Sequence, residues 1–148
     1  MDIIKRILYL FLCGAALFAL TRFGCLYFIR LAFNLRGQVE ITERLAEAAA
    51  RPNAMLFMVA RNKAGVPVAV KKIINPVFPL NFRITSANLI MPELLTKSLF
   101  LEAFLNNHGE LGVFRPGDVK GGIKRPVLFR EKEIELILDT AAKREELK

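Results

Sequence analysis

Hydrophobic residues are distributed along this chain in two different ways. Residues 7–29 form an almost continuous apolar run with a single charged side chain, Arg22. As a helix, this run is about 34 Å long at 1.5 Å per residue, which is enough to cross the hydrocarbon core of a bilayer. From residue 38 onward, short apolar stretches alternate with polar residues and turn signals. The pattern predicts one N-terminal transmembrane helix followed by a small water-soluble domain.

A cleaved signal peptide is the alternative interpretation of the apolar run, with residues 1–6 as its basic start and residues 7–20 as its apolar part. No small-x-small cleavage site follows, because the next residues are Thr21, Arg22 and Phe23. The residues before Cys25 also make a poor lipoprotein signal. We therefore expect a retained membrane anchor.

The predicted helix has a side made of small residues, on which another helix could pack closely. Arg22 lies toward the C-terminal end of the run, where its long side chain is expected to reach the headgroups or an acidic partner. The candidate helix-packing residues are therefore Gly14, Ala15, Ala16, Ala19 and Arg22.

The remainder of the chain predicts a mostly β domain, either a small sandwich or a barrel. Residues 43–50 are strong helix formers and predict one short helix. Residues 93–105 fit a helix or a strand equally well, and the Pro/Gly segment 115–122 is expected to be a loop. Strands are expected around residues 39–41, 54–61, 66–74, 80–85, 127–129 and 133–139, the second and third forming a hairpin.

This pattern divides the chain into three parts. Residues 1–36 are expected to be a short tail and the transmembrane helix, residues 37–140 the β domain, and residues 141–148 a charged tail. The chain has a net charge of +8. Residues 1–36 hold five basic and one acidic side chain, so the β domain is only mildly basic. That balance fits contact with anionic lipid or an acidic protein surface. The sequence has no dense basic run with interleaved aromatic residues, so we do not expect it to bind nucleic acid.

Candidate catalytic chemistry is sparse. The single histidine, His108, lies in a turn sequence and is expected to be solvated. Cys13 and Cys25 both lie in the apolar helix, about 18 Å apart, and cannot pair with each other. The sequence contains no zinc set, no haem-attachment motif and no phosphate loop. We therefore predict a protein that is not an enzyme and has no catalytic, metal or cofactor residues and no small-molecule substrate.

What the domain does offer is a surface for other proteins. Basic side chains on two expected strands and an aromatic–proline turn could form such a surface, although ordinary solvated strand faces have the same composition. The candidate interaction residues are Lys71, Lys72, Phe78, Pro79 and Arg83.

The segment 39–140 resembles the C-terminal periplasmic domain of the cytochrome c biogenesis protein family CcmI/CycH. The resemblance is carried by AMLFMVAR (54–61), PVAVKKI (67–73), NPVFPLNFRIT (75–85) and ANLIMP (87–92), followed by PGD (116–118) and EIELILD (133–139). It implies a periplasmic β-sandwich without cofactor or catalytic residues. It also implies a bacterial inner-membrane protein with a cytoplasmic N-terminus, a point on which the charges around the helix are nearly balanced.

The chain departs from that family's pattern. The family has two membrane helices and a long tetratricopeptide region, whereas in this sequence a single predicted helix joins directly to the β domain, with no room for a helical repeat between them. We therefore expect a non-enzymatic accessory or assembly subunit. Its helix would pack in a larger respiratory or photosynthetic electron-transfer complex, and its periplasmic domain would contact partners such as a c-type cytochrome. The alternative is a cytochrome c maturation factor that binds apocytochrome c at the periplasmic membrane face.

Overall fold

The computed structural model describes residues 3–142, except for the side chains of residues 22, 23, 25 and 26, and shows one long helix followed by an eight-stranded domain. Helix α1 spans Ile3–Ala32, and a short helix α2 (Ala46–Ala49) follows a 3₁₀ turn. The strands are β1 (Asn34–Ile41), β2 (Met55–Arg61), β3 (Pro67–Ile74), β4 (Leu80–Thr85), β5 (Ser98–Asn106), β6 (Val119–Gly122), β7 (Val127–Leu128) and β8 (Ile134–Ala141). The predicted class, a small barrel-like β domain preceded by one apolar helix, is confirmed.

The strands form one sheet that curls into a nearly closed barrel. Its order is β3-β2-β5-β6-β8-β1-β4, with β7 paired to β5 beside this path. The first and last strands, β1 and β8, pair in parallel, whereas their other neighbours are antiparallel. At the seam between β3 and β4, Nζ of Lys71 donates a hydrogen bond to the carbonyl oxygen of Arg83 at 2.6 Å. The barrel is thus closed by a side chain at a place where the two edge strands do not form a ladder.

Alternation along the strands fills the barrel interior. In β8, Ile134, Leu136 and Leu138 are buried, whereas Ile137 is 49% exposed, as the alternating pattern predicts. The core also includes Phe33, the single residue between α1 and β1, which is 1% exposed. Helix and barrel are therefore joined without a linker, and β1 starts at Asn34, before the expected domain boundary at residue 37.

The structure resolves the ambiguous segments. The hairpin is confirmed as β2 and β3, and β4 has the predicted bounds. Residues 93–105 divide into a 3₁₀ turn and β5. The loop predicted at 115–122 is wrong for its second half, because Gly121 and Gly122 lie in β6. The tail predicted at 141–148 lies outside the described residues from residue 143 onward.

The two ends of the barrel differ in what they carry. Helix α1 enters at the end where β1, β3, β5 and β8 begin, and we call this the helix end. The opposite end carries α2, the loop 75–79 between β3 and β4, and the loop 107–118 between β5 and β6. We call it the far end. Since a strand rises about 3.3 Å per residue, the six residues of β4 separate the two ends by roughly 20 Å.

Candidate interaction surfaces

Helix α1 is exposed from Ile3 to Thr21, before it reaches the barrel. Among the described residues, one segment is long and apolar enough to cross a membrane, Ile3–Thr21, with a mean hydropathy of 2.0 and none of it buried. Near its C-terminal end the helix contacts the domain: Ile29 packs against the core, and Nε of Arg30 donates to the carbonyl oxygen of Pro92 at 3.1 Å. The barrel is therefore held against the helix as well as tethered to it.

The small-residue side of α1 has no partner within the described chain. Gly14, Ala15, Ala16 and Ala19 are exposed, and a Cβ atom built on Gly14 would meet nothing within 4 Å. At 100° per residue, the backbone positions of Ala15, Ala19 and residue 22 lie on one side of the helix, as does Ile29. A helix packed on that side would lie beneath the barrel.

The predicted basic residues are brought together only in part. Lys71 reaches across the seam to the Arg83 carbonyl, and Nε of Arg83 donates to Oδ1 of Asn34 at 3.1 Å. Lys72 lies on the opposite face of β3, because adjacent strand residues point to opposite sides of a sheet. Its Nζ lies 5.5 Å from the centre of the Phe57 ring. Lys71 and Arg83 therefore line the seam, whereas Lys72 belongs to the outer face of the barrel.

The predicted aromatic–proline turn lies in the loop between β3 and β4, at the far end of the barrel. Phe78 is half-buried and packs against the core, and Pro79 is exposed. The parts of this turn that are exposed to a partner are Val77, which is 78% exposed, and Pro79.

An aromatic band on the outer face of the sheet was missed by the sequence analysis. The register places Lys72, Phe57, Phe104 and Lys120 in one row across β3, β2, β5 and β6. Phe114, from the far-end loop, meets the Phe104 ring edge-on at 5.4 Å, and Nζ of Lys120 lies 5.5 Å from the Phe114 ring centre. The continuous apolar run of β2 was the available signal, because it places apolar residues on both faces of the sheet.

His108 is not the solvated turn residue that the sequence predicts. Its side chain is 9% exposed, and Nε2 lies 3.0 Å from Oδ2 of Asp118, whose side chain is 5% exposed. The amide of Glu110 donates to Nδ1 of His108, so the imidazole hydrogen is assigned to Nε2 and donates to Asp118. The same carboxylate oxygen accepts from the Arg115 amide at 2.7 Å. Asp118 therefore ties the two ends of the far-end loop together.

A second carboxylate organises the chain near the helix end. Oε1 of Glu131 lies 2.5 Å from the guanidinium of Arg125, and Oε2 accepts from the Leu128 amide at 2.8 Å. The hydrogen bond from Arg125 holds the pKa of Glu131 below its ordinary value, against the opposing effect of burial. This carboxylate fixes the turn that follows β7.

We expect Glu131→Gln to lower the free energy of unfolding by about 1 kcal/mol at neutral pH, because the charged acceptor is lost. Because the pKa of Glu131 is lower in the folded protein than in the unfolded chain, its ionised carboxylate stabilises the fold at pH values above the ordinary carboxyl pKa. This stabilisation is lost as the pH falls through the lowered pKa. The difference between variant and parent should therefore shrink in acid. Urea unfolding of the full chain in detergent at neutral and acidic pH measures this, and a difference that is constant with pH would contradict it.

No constellation of catalytic or metal-binding groups emerges from residues 3–142. None of the described residues form a group of three or more His, Cys, Asp or Glu side chains that could hold a metal ion. The described residues form open grooves on the outside of the sheet. One, of about 410 Å³, runs over Gly122 between Arg61, Phe100, Glu102 and Lys124. Such geometry suits contact with another macromolecule.

A comparison with protein families decides the assignment of this domain. The family described as the cytochrome c-type biogenesis protein H Ig-like domain matches residues 35–139, from β1 to β8. The chain belongs to this family. The resemblance identified from the sequence is thereby confirmed. No curated protein and no solved structure matches the chain significantly.

The match covers the CycH Ig-like domain and leaves out α1. It therefore assigns the barrel, with its outer aromatic band, its seam and its far-end loop, to a family of cytochrome c biogenesis. The candidate residues on α1 and on the barrel surface are not assigned by this comparison and remain predictions.

Proposed function

We propose that this protein is a membrane-anchored assembly factor in cytochrome c maturation that works by binding other proteins. The observation that supports this most strongly is the family match over the whole barrel. Helix α1 would hold the barrel at the membrane, with the N-terminus in the cytoplasm of a bacterium and the barrel in the periplasm, where c-type cytochromes receive haem. Apocytochrome c or another maturation protein would be the partner.

The outer aromatic band is the surface we assign to that partner. Phe57 is buried beneath this surface, and Phe104 and Phe114 are partly exposed between two lysine side chains. Flat aromatic rings with flanking cations suit a peptide that brings apolar and acidic side chains, since buried aromatic contacts dominate the energetics of protein interfaces. The seam residues Lys71 and Arg83 lie beside this surface rather than on it.

A second candidate function is a permanent accessory subunit of a respiratory or photosynthetic complex. The observation favouring it is the exposed small-residue side of α1, which allows close helix packing. The side chain of Arg22, the fifth candidate packing residue, lies outside the part of the chain that the structure describes. The barrel would lie over the neighbouring helix, because Ile29 is on the same side of α1 as Ala15 and Ala19.

Deletion and co-purification separate the two candidates. We expect a deletion strain to lose most haem-stained c-type cytochrome, and the tagged chain to be recovered with apocytochrome or maturation proteins after gentle detergent extraction and mass spectrometry. Unchanged haem staining would contradict a maturation role. Recovery at a fixed ratio with the haem- or pigment-bearing subunits of one complex would support the second candidate instead.

A helix variant sharpens the same experiment. Ala15→Leu with Ala19→Leu adds bulk to the small-residue side, whereas Cys13→Leu adds bulk to the opposite, exposed side. If α1 packs permanently against a partner helix, only the double variant should dissociate from the complex. If α1 serves only as an anchor, both variants should leave cytochrome maturation intact.

A further inference from the structure

Four separate segments meet at the helix end of the barrel. They are the α1–β1 junction (30–36), the β2–β3 turn (62–66), the β4–β5 connection (86–97) and the segment between β6 and β8 (123–133). We call them together the membrane-side rim. Hydrogen bonds join them: the Asn34 amide donates to Phe129, the Phe129 amide to Lys97, and the Asn62 side chain to Leu94. The rim is thus one continuous surface around the exit of α1.

The charge of the barrel is concentrated on this rim. Its four segments hold eight basic and three acidic side chains. The far-end segments 42–54, 75–79, 107–118 and 139–142 hold three basic and five acidic side chains. One acidic rim residue, Glu131, is already paired with Arg125. The chain is therefore electrically polarised along the barrel axis, with its positive end where the helix leaves.

The rim also exposes apolar side chains that no part of the described chain covers. Ile90 is 53% exposed, Leu94 41% and Leu128 61%. On α1 itself, Tyr27, Phe28 and Leu31 are each more than 60% exposed, immediately before the helix reaches the barrel. Apolar and aromatic residues at this level of the helix are typical of the interfacial region of a membrane. The apolar surface of the helix therefore continues onto the rim.

We propose that the membrane-side rim lies against the bilayer and binds anionic phospholipid headgroups, so that the barrel is seated on the membrane. The proposal rests on α1 being a membrane anchor. Basic residues close to an anionic surface attract it, and apolar residues among them enter the headgroup–acyl boundary. The occupant is lipid rather than a soluble protein, because the exposed apolar surface is continuous with α1 and surrounds its exit.

This seating fixes how the barrel faces its surroundings. The transmembrane segment then extends past Thr21, to the level of Tyr27 and Leu31, as the predicted run 7–29 requires. The far end points away from the membrane, and the outer aromatic band, which crosses the strands on the side of the barrel, runs roughly parallel to the membrane surface. A partner bound on that band would be held at a constant height above the bilayer.

A single tryptophan tests the proposal, since the chain has none of its own. Ile90→Trp places the reporter on the rim, and Val77→Trp places it at the exposed far end as a control. The full chain is reconstituted into vesicles of phosphatidylcholine alone or mixed with phosphatidylglycerol, each with brominated acyl chains as quencher. We expect strong quenching and a blue-shifted emission for the rim reporter in the anionic vesicles, and neither for the far-end reporter.

Charge variants test the headgroup contact. Lys97→Gln, Arg130→Gln and Lys132→Gln together remove three exposed rim charges, and the matched control removes three exposed charges elsewhere through Arg51→Gln, Lys72→Gln and Arg115→Gln. At about fivefold per charge, the loss of three charges in the rim variant should weaken seating by roughly 100-fold. The control should keep the parent's quenching. High salt should act like the rim variant.

Vesicle flotation, measured on the same samples, reports the anchor independently of the rim. Equal flotation of all variants with loss of quenching only in the rim variant supports the proposal. A rim reporter quenched no more than the far-end reporter would overturn it and leave the rim to a protein partner. Rim quenching that is as strong in neutral vesicles as in anionic ones, or as strong in the rim variant as in the parent, would overturn the role of anionic headgroups. Failure to float would instead refute the anchor.

Discussion

Replacing Gly121 with alanine is expected to lower the free energy of unfolding by about 3 kcal/mol or more. A Cβ atom at this position would lie 2.0 Å from the carbonyl oxygen of Ile137 and 2.9 Å from the Cα of Leu138. Both are backbone atoms of β8, so the two strands would have to separate. β6 lies between β5 and β8 in the middle of the sheet, and its ladder with β8 shifts register at this point.

The neighbouring glycine is the matched control, because it receives the same substitution in the same strand. A Cβ atom on Gly122 would come no closer than 3.5 Å to another atom, and its φ is not in the left-handed region. Gly122→Ala should therefore be neutral, or stabilising by up to about 0.5–1 kcal/mol through the reduced entropy of the unfolded chain. Thermal and urea unfolding of both variants of the full chain in the same detergent gives the comparison. Similar stability for the two would show that the close approach of β6 and β8 is relaxed at little cost.

Gly121 also shows where sequence reasoning about the fold stops. The strand positions of β2, β3, β4 and β8 follow from hydrophobic periodicity, which depends only on neighbouring residues. The pair Gly121–Gly122 reads locally as a loop, since glycine weakens an isolated strand. Its strand conformation depends on how closely β8 approaches, and that contact joins residues far apart in sequence. The parallel pairing of β1 with β8 is hidden from the sequence for the same reason.

Of the candidate surfaces, one can be predicted from the sequence and another requires knowledge of the fold. The small-residue side of α1 can be predicted from helical spacing alone, because all its residues lie within two or three turns. The membrane-side rim cannot, because its basic residues are distributed over four segments that only the barrel topology brings together. Lys71 and Lys72 illustrate the same limit: their adjacency in sequence suggested one surface, whereas strand alternation places them on opposite faces of β3.

His108 was misjudged because its partner lies across a loop. The sequence NNHGE predicts a turn, and a turn histidine with no nearby motif is expected to be solvated. The structure brings Asp118, ten residues later, to 3.0 Å from Nε2 and buries both side chains. Neither residue carries a sequence signal for this pairing.

The last prediction follows from that pair. Asp118→Ala should lower the free energy of unfolding by about 2–4 kcal/mol, because it removes a buried carboxylate that accepts hydrogen bonds from two donors, the His108 imidazole and the Arg115 amide. His108→Ala should cost less, since the carboxylate keeps the Arg115 amide. The double variant should cost less than the sum of the two, because the contact between the two side chains is lost only once. Urea unfolding of the four proteins of this cycle measures the coupling.

Glu110→Gln is the control within the same loop, because the Glu110 side chain is 55% exposed and its ion pair with Arg115 lies at the surface. That substitution should change stability by less than about 0.5 kcal/mol. Since the loop 107–118 carries Phe114 onto the aromatic band, Asp118→Ala should also weaken partner binding there, whereas Glu110→Gln should not. If Asp118→Ala changed stability as little as Glu110→Gln, His108 would be a solvated turn residue after all. Phe114 would then be held on the aromatic band by its contacts with Phe104 and Lys120, without help from Asp118.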